Sequence, residues 1–146
     1  MAAPMPFGLK IALLNRAFHK KLDEEAAAMG LTAVQLRVLG SLSRLEASGA
    51  EEVHQNDLES IEHVTHPAMT KLLRRLQAKG FVECAPSVQD RRYKVVRRTQ
   101  RSQGIHTLIL EQDRRAMDAL LGALSPDEQQ QFVKMTDRLL EQIDQI

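Results

Sequence analysis

The sequence contains little sulfur and few aromatic rings. Cys84 is its single cysteine, tryptophan is absent, and aromatic residues make up 3% of the 146 residues. One cysteine cannot close an intramolecular disulfide or supply the thiolate cluster of a structural zinc site. No apolar run approaches the ~20 residues that a membrane-spanning helix needs, and residues 1–6 lack the features of a signal peptide. These absences predict a cytoplasmic protein that does not bind membranes.

Catalytic motifs are also missing. The sequence has no nucleophile elbow, no glycine-rich phosphate loop and no zinc-hydrolase helix motif. The histidines His54, His63 and His66 could suggest a metal site, because neutral imidazole is a good ligand. However, no carboxylate cluster converges with them in the sequence. We therefore expect a protein that is not an enzyme and that has neither a metal site nor a cofactor.

Charge is distributed unevenly along the chain. The net charge is only +1, but residues 64–104 carry 10 Lys or Arg against 2 Asp or Glu, a surplus of +8. Residues 1–63 sum to −3 and residues 105–146 to −4. A basic block between acidic segments is typical of a surface that binds a polyanion. A basic face that is merely solvated is the alternative that charge alone leaves open.

Most of the chain has the hydrophobic periodicity of α-helices. Thr32 is placed to cap one helix, and Ser125-Pro126 opens the last with a cap and a proline at the first position. In the short third helix, Leu58 and Ile61 are predicted to face inward. The predicted helices cover residues 7–29, 33–47, 55–62, 66–79, 100–121 and 126–146, and Ile105 is among the apolar residues of the fifth.

A more specific pattern lies between residues 55 and 98. Two predicted helices are separated by a break around Pro67, and the second carries an apolar stripe opposite a basic face. Beyond Gly80 the period changes to that of strands, at residues 81–85 and 93–98, around a polar turn. Two helices joined by a tight turn, the second one basic, predict a helix-turn-helix, and the β-hairpin after it is a wing.

This arrangement predicts a surface that binds double-stranded DNA. The start of the second helix can enter the major groove and reach base edges, while basic side chains nearby contact phosphates. The alternative is a helix packed in an ordinary core with solvated charges. The candidate DNA-binding residues lie on the outer face of that helix and in the wing: Thr65, His66, Ala68, Thr70, Lys71, Arg74, Arg75, Asp90, Arg91, Arg92 and Lys94.

The wing turn contains the triplet Asp90-Arg91-Arg92. Residues two apart share one face of a hairpin, so Asp90 is predicted to orient the guanidinium of Arg92, whereas Arg91 points to the other face. A guanidinium suits a narrow minor groove. The alternative is a surface ion pair that contributes little.

These motifs resemble those of the MarR family of winged-helix regulators. The similarity covers about residues 29–104, and outside that range it rests on the helical layout alone. The matching segments are Gly30-Leu31-Thr32, Gln35, Val38-Leu39, Gln55–Leu58, Pro67–Leu76, Lys79–Val82 and Asp90–Arg92, followed by Val96 and Thr99. Two positions depart from the family's pattern: Arg98 stands where leucine is usual, and Ser102 stands where glycine is usual.

The resemblance implies a mainly α fold, in which N- and C-terminal dimerisation helices accompany a winged helix-turn-helix with one short β-hairpin. Residues 1–31 and 105–146 would form the dimerisation part, and residues 32–104 the DNA-binding domain. It also implies an obligate homodimer, with Arg92 in the minor groove and Asp90 orienting it. The dimer has a physical reason as well, because one winged helix is too small to bury the apolar stripes of both terminal helices.

Members of this family often bind anionic aromatic molecules between the dimerisation helices and the winged domain. The resemblance therefore implies a small anionic or aromatic effector, with Arg16, Phe18 and His19 of the first helix as candidate contacts. The alternative for Phe18 is a core position. Redox sensors of the family place their cysteine near the first helix, so Cys84, on a strand, is interpreted as a small buried or half-buried thiol, and a redox sensor is the alternative.

The sequence thus predicts a homodimeric, sequence-specific DNA-binding transcription regulator, a repressor relieved by a small molecule, on a pseudo-palindromic operator. The alternative from another class is a winged-helix adapter that binds proteins without reading DNA. Such an adapter would carry an apolar patch on the second helix. Here that face carries Thr70, Lys71, Arg74 and Arg75, which favours DNA.

Overall fold

A computed structural model describes residues 2–104 and 106–143 of the chain. It confirms a mainly helical fold with one antiparallel hairpin. No helix within these ranges has the length and apolar character needed to cross a membrane. The elements in chain order are α1 (Phe7–Ala27), α2 (Ala33–Ala47), α3 (Gln55–Glu62), α4 (His66–Ala78), β1 (Val82–Pro86), β2 (Lys94–Arg98), α5 (Gln100–Gly104), α6 (His106–Leu121) and α7 (Pro126–Ile143).

The chain divides into two compact units. The central unit is Leu22–Asp113, and the terminal unit comprises Met1–Lys21 with Arg114–Ile146. The central unit contains α2 to α5 and the hairpin, whereas the terminal unit contains α7 and parts of α1 and α6. The division of the chain at residues 31 and 104 that the sequence suggests stays a prediction.

The core of the central unit lies where α2, α3 and α4 pack against the hairpin. Each helix turns one apolar face inward, as its periodicity predicts. The hairpin pairs Val82 with Arg98 and Cys84 with Val96, and the main-chain N–H of Val96 donates to Val53 O at 2.8 Å. The fully buried large side chains of this core are Val38, Leu39, Leu42, Leu58, Met69, Leu73, Leu76, Val82 and Val96.

The predicted helix starts are confirmed at both capping sites. Thr32 Oγ1 accepts the N–H of Gln35 at 3.2 Å, and Gln35 Oε1 accepts the N–H of Thr32 at 3.1 Å, which forms a capping box. Ser125 and Glu128 exchange the same two hydrogen bonds at the start of α7. Local residue chemistry is therefore enough to begin these helices where the sequence places them.

The prediction that Ile61 faces inward is wrong. Ile61 is 42% exposed, whereas Leu58 is fully buried. The reason is the end of α3: His63 adopts a left-handed conformation (φ 52°) that terminates the helix. Val64 then packs partly buried against the core in its place.

Several boundaries also differ from their predictions by one or two residues, among them the ends of α4 (Ala78) and β1 (Pro86). α1 ends at Ala27 instead of Met29, and both strands begin one residue later than predicted. Phe81 stays outside β1 because its N–H donates to Leu76 O at the end of α4. The single long helix predicted after Thr99 is described as α5 and α6, and Ile105 lies outside the described residues.

Gly80 links α4 to the hairpin in a conformation that other residues rarely adopt. Its φ is +82°, so Gly80→Ala should lower the free energy of unfolding by more than about 1 kcal/mol, although an added Cβ would have room. Gly40→Ala is the matched control, because its Cβ would meet Ile109 at an ordinary 3.7 Å within α2. Urea unfolding at one fixed protein concentration compares the two variants. Equal effects of both would contradict the conformational argument.

Candidate nucleic-acid interface

The start of α4 is exposed and capped. Thr65 Oγ1 accepts the N–H of Ala68 at 3.4 Å, and Pro67 occupies the first turn, where its missing N–H costs nothing. Thr65, His66 and Ala68 are all exposed. Because Met69 and Leu73 anchor the opposite side of the helix in the core, this end projects into solvent with its first N–H groups.

The outer face of α4 is cationic along its length. Lys71, Arg74 and Arg75 are exposed, and their side chains form no hydrogen bond or ion pair with any residue that the structure describes. The positive end of the helix dipole lies at the same end as His66. This face therefore combines helix-terminal N–H groups with side chains that can neutralise phosphates.

Two residues of α3, Gln55 and Glu59, contact side chains in the first turns of α4, and sequence reasoning missed both. His66 Nδ1 lies 2.9 Å from Glu59 Oε2 and 3.2 Å from Gln55 Nε2. Gln55 Nε2 also donates to Thr70 Oγ1 at 2.9 Å, so Thr70 is half-buried beside α3 and not fully outward. A hydrogen bond that fixes one ring nitrogen of His66 leaves Nε2 as the nitrogen that is available for another hydrogen bond. No local sequence signal links residues this far apart in the chain.

The wing turn brings Asp90 and Arg92 together. Arg92 Nη2 donates to Asp90 Oδ2 at 2.7 Å, Nε donates at 3.1 Å, and the main-chain N–H of Arg92 donates to Oδ1 at 3.1 Å. The strand alternation that predicts this pair does not apply, because both residues lie in the turn between β1 and β2. The cause is instead an Asx-type turn, in which the carboxylate accepts the N–H two residues on.

The Arg92 guanidinium and its main-chain N–H donate to Asp90 and hold the pKa of that carboxyl below its usual range. Asp90 in turn raises the pKa of Arg92, which is cationic in any case. Arg92 remains 85% exposed at its side chain, so the pair presents the guanidinium outward without burying it. Arg91 and Lys94 are exposed as well.

The turn is also held from the loop before α3. Ser87 Oγ donates to Glu52 Oε2 at 2.7 Å, and His54 Nε2 lies 2.9 Å from the same oxygen. The His54 imidazole and the Ser87 hydroxyl keep the pKa of Glu52 below its usual range. Sequence reasoning placed Ser87 in a polar turn but gave Glu52 no role.

Not every cation of the basic block belongs to this surface. Arg98 donates through Nε to Glu46 Oε2 at 2.7 Å, so the charge that replaces the family's usual leucine is paired with α2. Arg101 lies over the ring of Phe81, 4.5 Å from its centroid. Lys79 Nζ donates to Gly30 O at 2.7 Å. These three cations stabilise the central unit.

Ser102, the other departure from the family's pattern, is fully buried. Its hydroxyl donates to Thr99 O at 3.2 Å, and its N–H donates to Thr99 Oγ1 at 3.4 Å. A polar side chain at this position is therefore satisfied by the first turn of α5.

The remaining candidate groups are the single cysteine, the histidines and three residues of α1. Cys84 is half-buried on β1, and desolvation raises the pKa of its thiol, which disfavours the reactive thiolate. Within residues 2–104 and 106–143, no group of three or more His, Cys, Asp or Glu side chains could hold a metal ion. The candidate effector contacts lie in α1, where Arg16 is exposed and Phe18 and His19 are half-buried, and their role stays a prediction.

Comparison with known proteins gives a consistent result. Residues 29–92 match the model of the MarR family. The chain is 32% identical over 95 residues to the multiple antibiotic resistance protein MarR of Escherichia coli (strain K12), which covers 65% of this chain and 62% of that protein. It is 30% identical over 117 residues to the transcriptional activatory protein BadR of Rhodopseudomonas palustris, which covers 73% of this chain and 66% of that protein. This chain belongs to the MarR family.

The fold is shared over almost the whole chain. A crystal structure of a cysteine-to-serine mutant of MarR from Escherichia coli complexed with operator DNA matches 95% of this chain and 94% of that chain, with a TM-score of 0.77 and 26% identity. The matches to the two curated relatives span just under two thirds of their lengths. The winged-helix architecture of the MarR family is thereby confirmed for this chain.

The Asp90 carboxylate should titrate below the usual range of aspartate, because protonation would break its hydrogen bonds to Arg92. The stabilisation from a lowered pKa is present above the ordinary pKa and is lost as pH falls through the lowered one. The wing pair should therefore stay intact from neutral pH down to mildly acidic pH. Carboxyl-carbon NMR titration measures the midpoint.

Arg92→Ala should move that midpoint up towards the ordinary value, whereas Arg91→Ala, which changes the same charge, should leave it depressed. An unchanged midpoint in Arg92→Ala would show that the pair does not form in solution.

Proposed function

We propose that this chain is a sequence-specific regulator of transcription that binds double-stranded DNA and is not an enzyme. The observation that carries the proposal is the exposed cationic face of α4 and the wing, where Lys71, Arg74 and Arg75 have no partner among the described residues. A gel-shift assay with the DNA upstream of the chain's own gene tests it. A sequence-specific shift is expected, and equal binding to a scrambled duplex would overturn the proposal.

The arrangement suits both grooves of DNA. The capped start of α4 would enter the major groove, with His66 and Ala68 near base edges and the cations further along on phosphates. Arg92, held by Asp90, would reach the adjacent minor groove, whose potential is most negative where A·T pairs narrow it. Phosphate contacts would set the position, and the groove contacts would supply the specificity.

A protein-binding adapter fits these observations less well. The whole of α4 is described, and none of its large hydrophobic side chains is exposed. A helix that docks into a protein groove needs apolar anchors at helical spacing. The charged face of α4 therefore supports DNA in preference to a protein partner.

We infer a homodimer from the terminal unit. α7 has no buried residue, although its apolar side chains recur at helical spacing. Phe7, at the start of α1, is 75% exposed. Apolar surface of this extent favours burial against a second copy. A two-fold dimer would read a pseudo-palindrome with half-sites about one helical turn apart. The exposed apolar residues of α7 are Phe132, Val133, Met135, Leu139, Leu140 and Ile143.

We further propose that the protein represses transcription until a small anionic or aromatic effector binds, with Arg16, Phe18 and His19 as contacts. The proposal is supported by the positions of these residues, because they put one cationic and two ring side chains on the same segment of α1. Transcription in vitro, with and without the protein, tests whether the protein represses or activates. Activation is the contrary outcome, since the relative BadR carries the name of an activator. If the effector still releases the protein from DNA in both the Arg16→Ala and the His19→Ala variants, these side chains do not form the effector site.

DNA binding should depend steeply on salt. Two copies of α4 and two wings should contact about 6–10 phosphates, so affinity should fall by about 10³–10⁵ between about 50 and 200 mM salt. Fluorescence anisotropy with one labelled duplex measures this slope. A flat salt profile would refute a nucleic-acid interface.

Arg92 should contribute more to specificity than its neighbour Arg91. Arg92→Ala should cost about 1–3 kcal/mol of binding free energy, with the larger loss on duplexes whose outer flanks are rich in A·T. Asp90→Ala should give a weaker version of the same effect, because it releases the guanidinium without removing it.

Arg91→Ala is the matched control, since it removes the same charge from the same turn. It should lower affinity about equally on all duplexes, as a phosphate contact does. Titrations of the purified variants at one fixed salt concentration compare these losses. Equal losses for both arginines, without dependence on the flanks, would contradict the assignment of Arg92 to the minor groove.

The dimer should depend on the apolar face of α7. Leu139→Lys should shift the protein towards the monomer in sedimentation velocity, because an unpaired charge in an apolar interface is costly. Gln130→Lys adds the same charge on the opposite side of the same helix and should leave the dimer intact. An unchanged sedimentation coefficient in Leu139→Lys would place the interface elsewhere.

A further inference from the structure

The wing turn contains one side chain that is buried while its neighbours are not. Ser87 is 2% exposed, whereas residues 88–94 are exposed or half-buried. A serine in a surface turn ordinarily keeps its hydroxyl in water. The buried hydroxyl of Ser87 therefore needs a hydrogen-bond partner within the protein, and that partner lies in the loop between α2 and α3.

The Ser87 hydroxyl uses its full hydrogen-bonding capacity. It donates to Glu52 Oε2 at 2.7 Å and accepts the main-chain N–H groups of Gln89 at 3.1 Å and Asp90 at 3.2 Å. A hydroxyl has one hydrogen and two lone pairs, so all three are engaged. The main chain of Asp90 is thereby tied, through one buried oxygen, to a carboxylate outside the wing.

A second contact joins the same loop to the far side of the turn. The His54 ring stacks on Tyr93, with centroids 4.9 Å apart and planes at 13°. His54 Nε2 also lies 2.9 Å from Glu52 Oε2, and the main chain closes the turn with Ser87 N–H donating to Tyr93 O at 2.9 Å. Glu52 and His54 therefore restrain both arms of the turn at its base.

These contacts lead to the guanidinium of Arg92 by a continuous path. Glu52 holds Ser87, Ser87 holds the N–H of Asp90, and the carboxylate of Asp90 accepts both the main-chain N–H and the guanidinium of Arg92. An exposed ion pair alone positions a long side chain weakly. The pair is directional only if the main chain that carries Asp90 is fixed, and the buried Ser87 hydroxyl fixes it.

We propose that Ser87 and Glu52 are positioning residues that set the direction of Arg92 and thereby its preference for a narrow minor groove. The inference rests on the proposed function, because it assumes that the wing contacts DNA. The loop before α3 would thereby influence sequence preference without contacting the duplex.

The test uses the duplex identified by gel shift in two forms, with A·T or G·C pairs at its outer flanks. Ser87→Ala and Glu52→Ala should each reduce the preference for A·T flanks by about three- to tenfold, the range that one hydrogen bond contributes. In the background of Arg92→Ala, Ser87→Ala should cause no further loss of preference. A side chain needed only for folding would weaken binding to both duplexes equally.

Glu51→Ala is the matched control. Glu51 precedes Glu52 in the same loop, and among the described residues its side chain bonds only to the Gln89 side chain, at 3.3 Å. Its removal changes the charge of this loop by the same amount, because both residues are glutamates. It should retain the preference for A·T flanks. In the DNA-free protein, NMR order parameters of the Gln89 and Asp90 amides should fall in Ser87→Ala and stay high in Glu51→Ala.

The outcomes distinguish a failure of the positioning role of Ser87 and Glu52 from a failure of the proposed function. Suppose that Arg92→Ala abolishes the flank preference. If Ser87→Ala then keeps the preference, or weakens binding to both duplexes equally, the positioning role is refuted and DNA binding stands. If the unsubstituted protein binds no duplex specifically, or if Arg92→Ala keeps the flank preference, the proposed role of the wing fails and the positioning role fails with it.

Discussion

The burial of one face of α4 is the constraint on which the exposed surface of the central unit depends. Met69, Leu73 and Leu76 lie on this face, and burying each such side chain contributes about 1.5–3 kcal/mol. Because residues three and four apart share one side of a helix, fixing these three leaves the intervening Lys71 and Arg74 no orientation but outward. The rotation of the cationic face is thus determined by the core, and rotating it would expose the apolar stripe.

Charge alone does not reveal which cations face outward. Among the ten cations of residues 64–104, some are paired within the central unit and others face solvent, and the net charge of +8 does not show which is which. Arg98 and Arg101 stabilise the central unit through a carboxylate and an aromatic ring, respectively. Lys71 and Arg75 face solvent without a partner in the described parts of the chain. The difference lies in what each position meets in the fold, because the side chains themselves are chemically alike.

Features set by neighbouring residues could be predicted from the sequence, and features set by distant ones could not. The capping boxes at Thr32 and Ser125 use partners three residues away, and both were predictable. The Asp90–Arg92 pair was also predicted, although its cause is a turn and not strand alternation. Periodicity alone predicts an inward Ile61, but the left-handed end of α3 gives that core position to Val64.

The contacts that restrain the candidate site join residues far apart in the chain. Glu52 lies 35 residues from Ser87, and Gln55 lies 15 residues from Thr70. No periodicity or spacing encodes such pairs, since each exists only after the helices and the hairpin have packed. The sequence therefore indicates which elements carry the cationic surface, whereas the packed structure determines how firmly they are held.

Both α4 and the wing carry an exposed side chain that is restrained by a neighbouring carboxylate. His66 is held at its base by Glu59, and Arg92 is held by Asp90, while both side chains remain largely exposed. A long side chain that must order on binding gives up rotamer entropy, and a restrained main chain reduces that cost. Cations without such support, such as Arg74, suit phosphates, which tolerate many approach directions. Base edges and narrow grooves demand a defined direction, so the restrained side chains are the ones suited to specific reading.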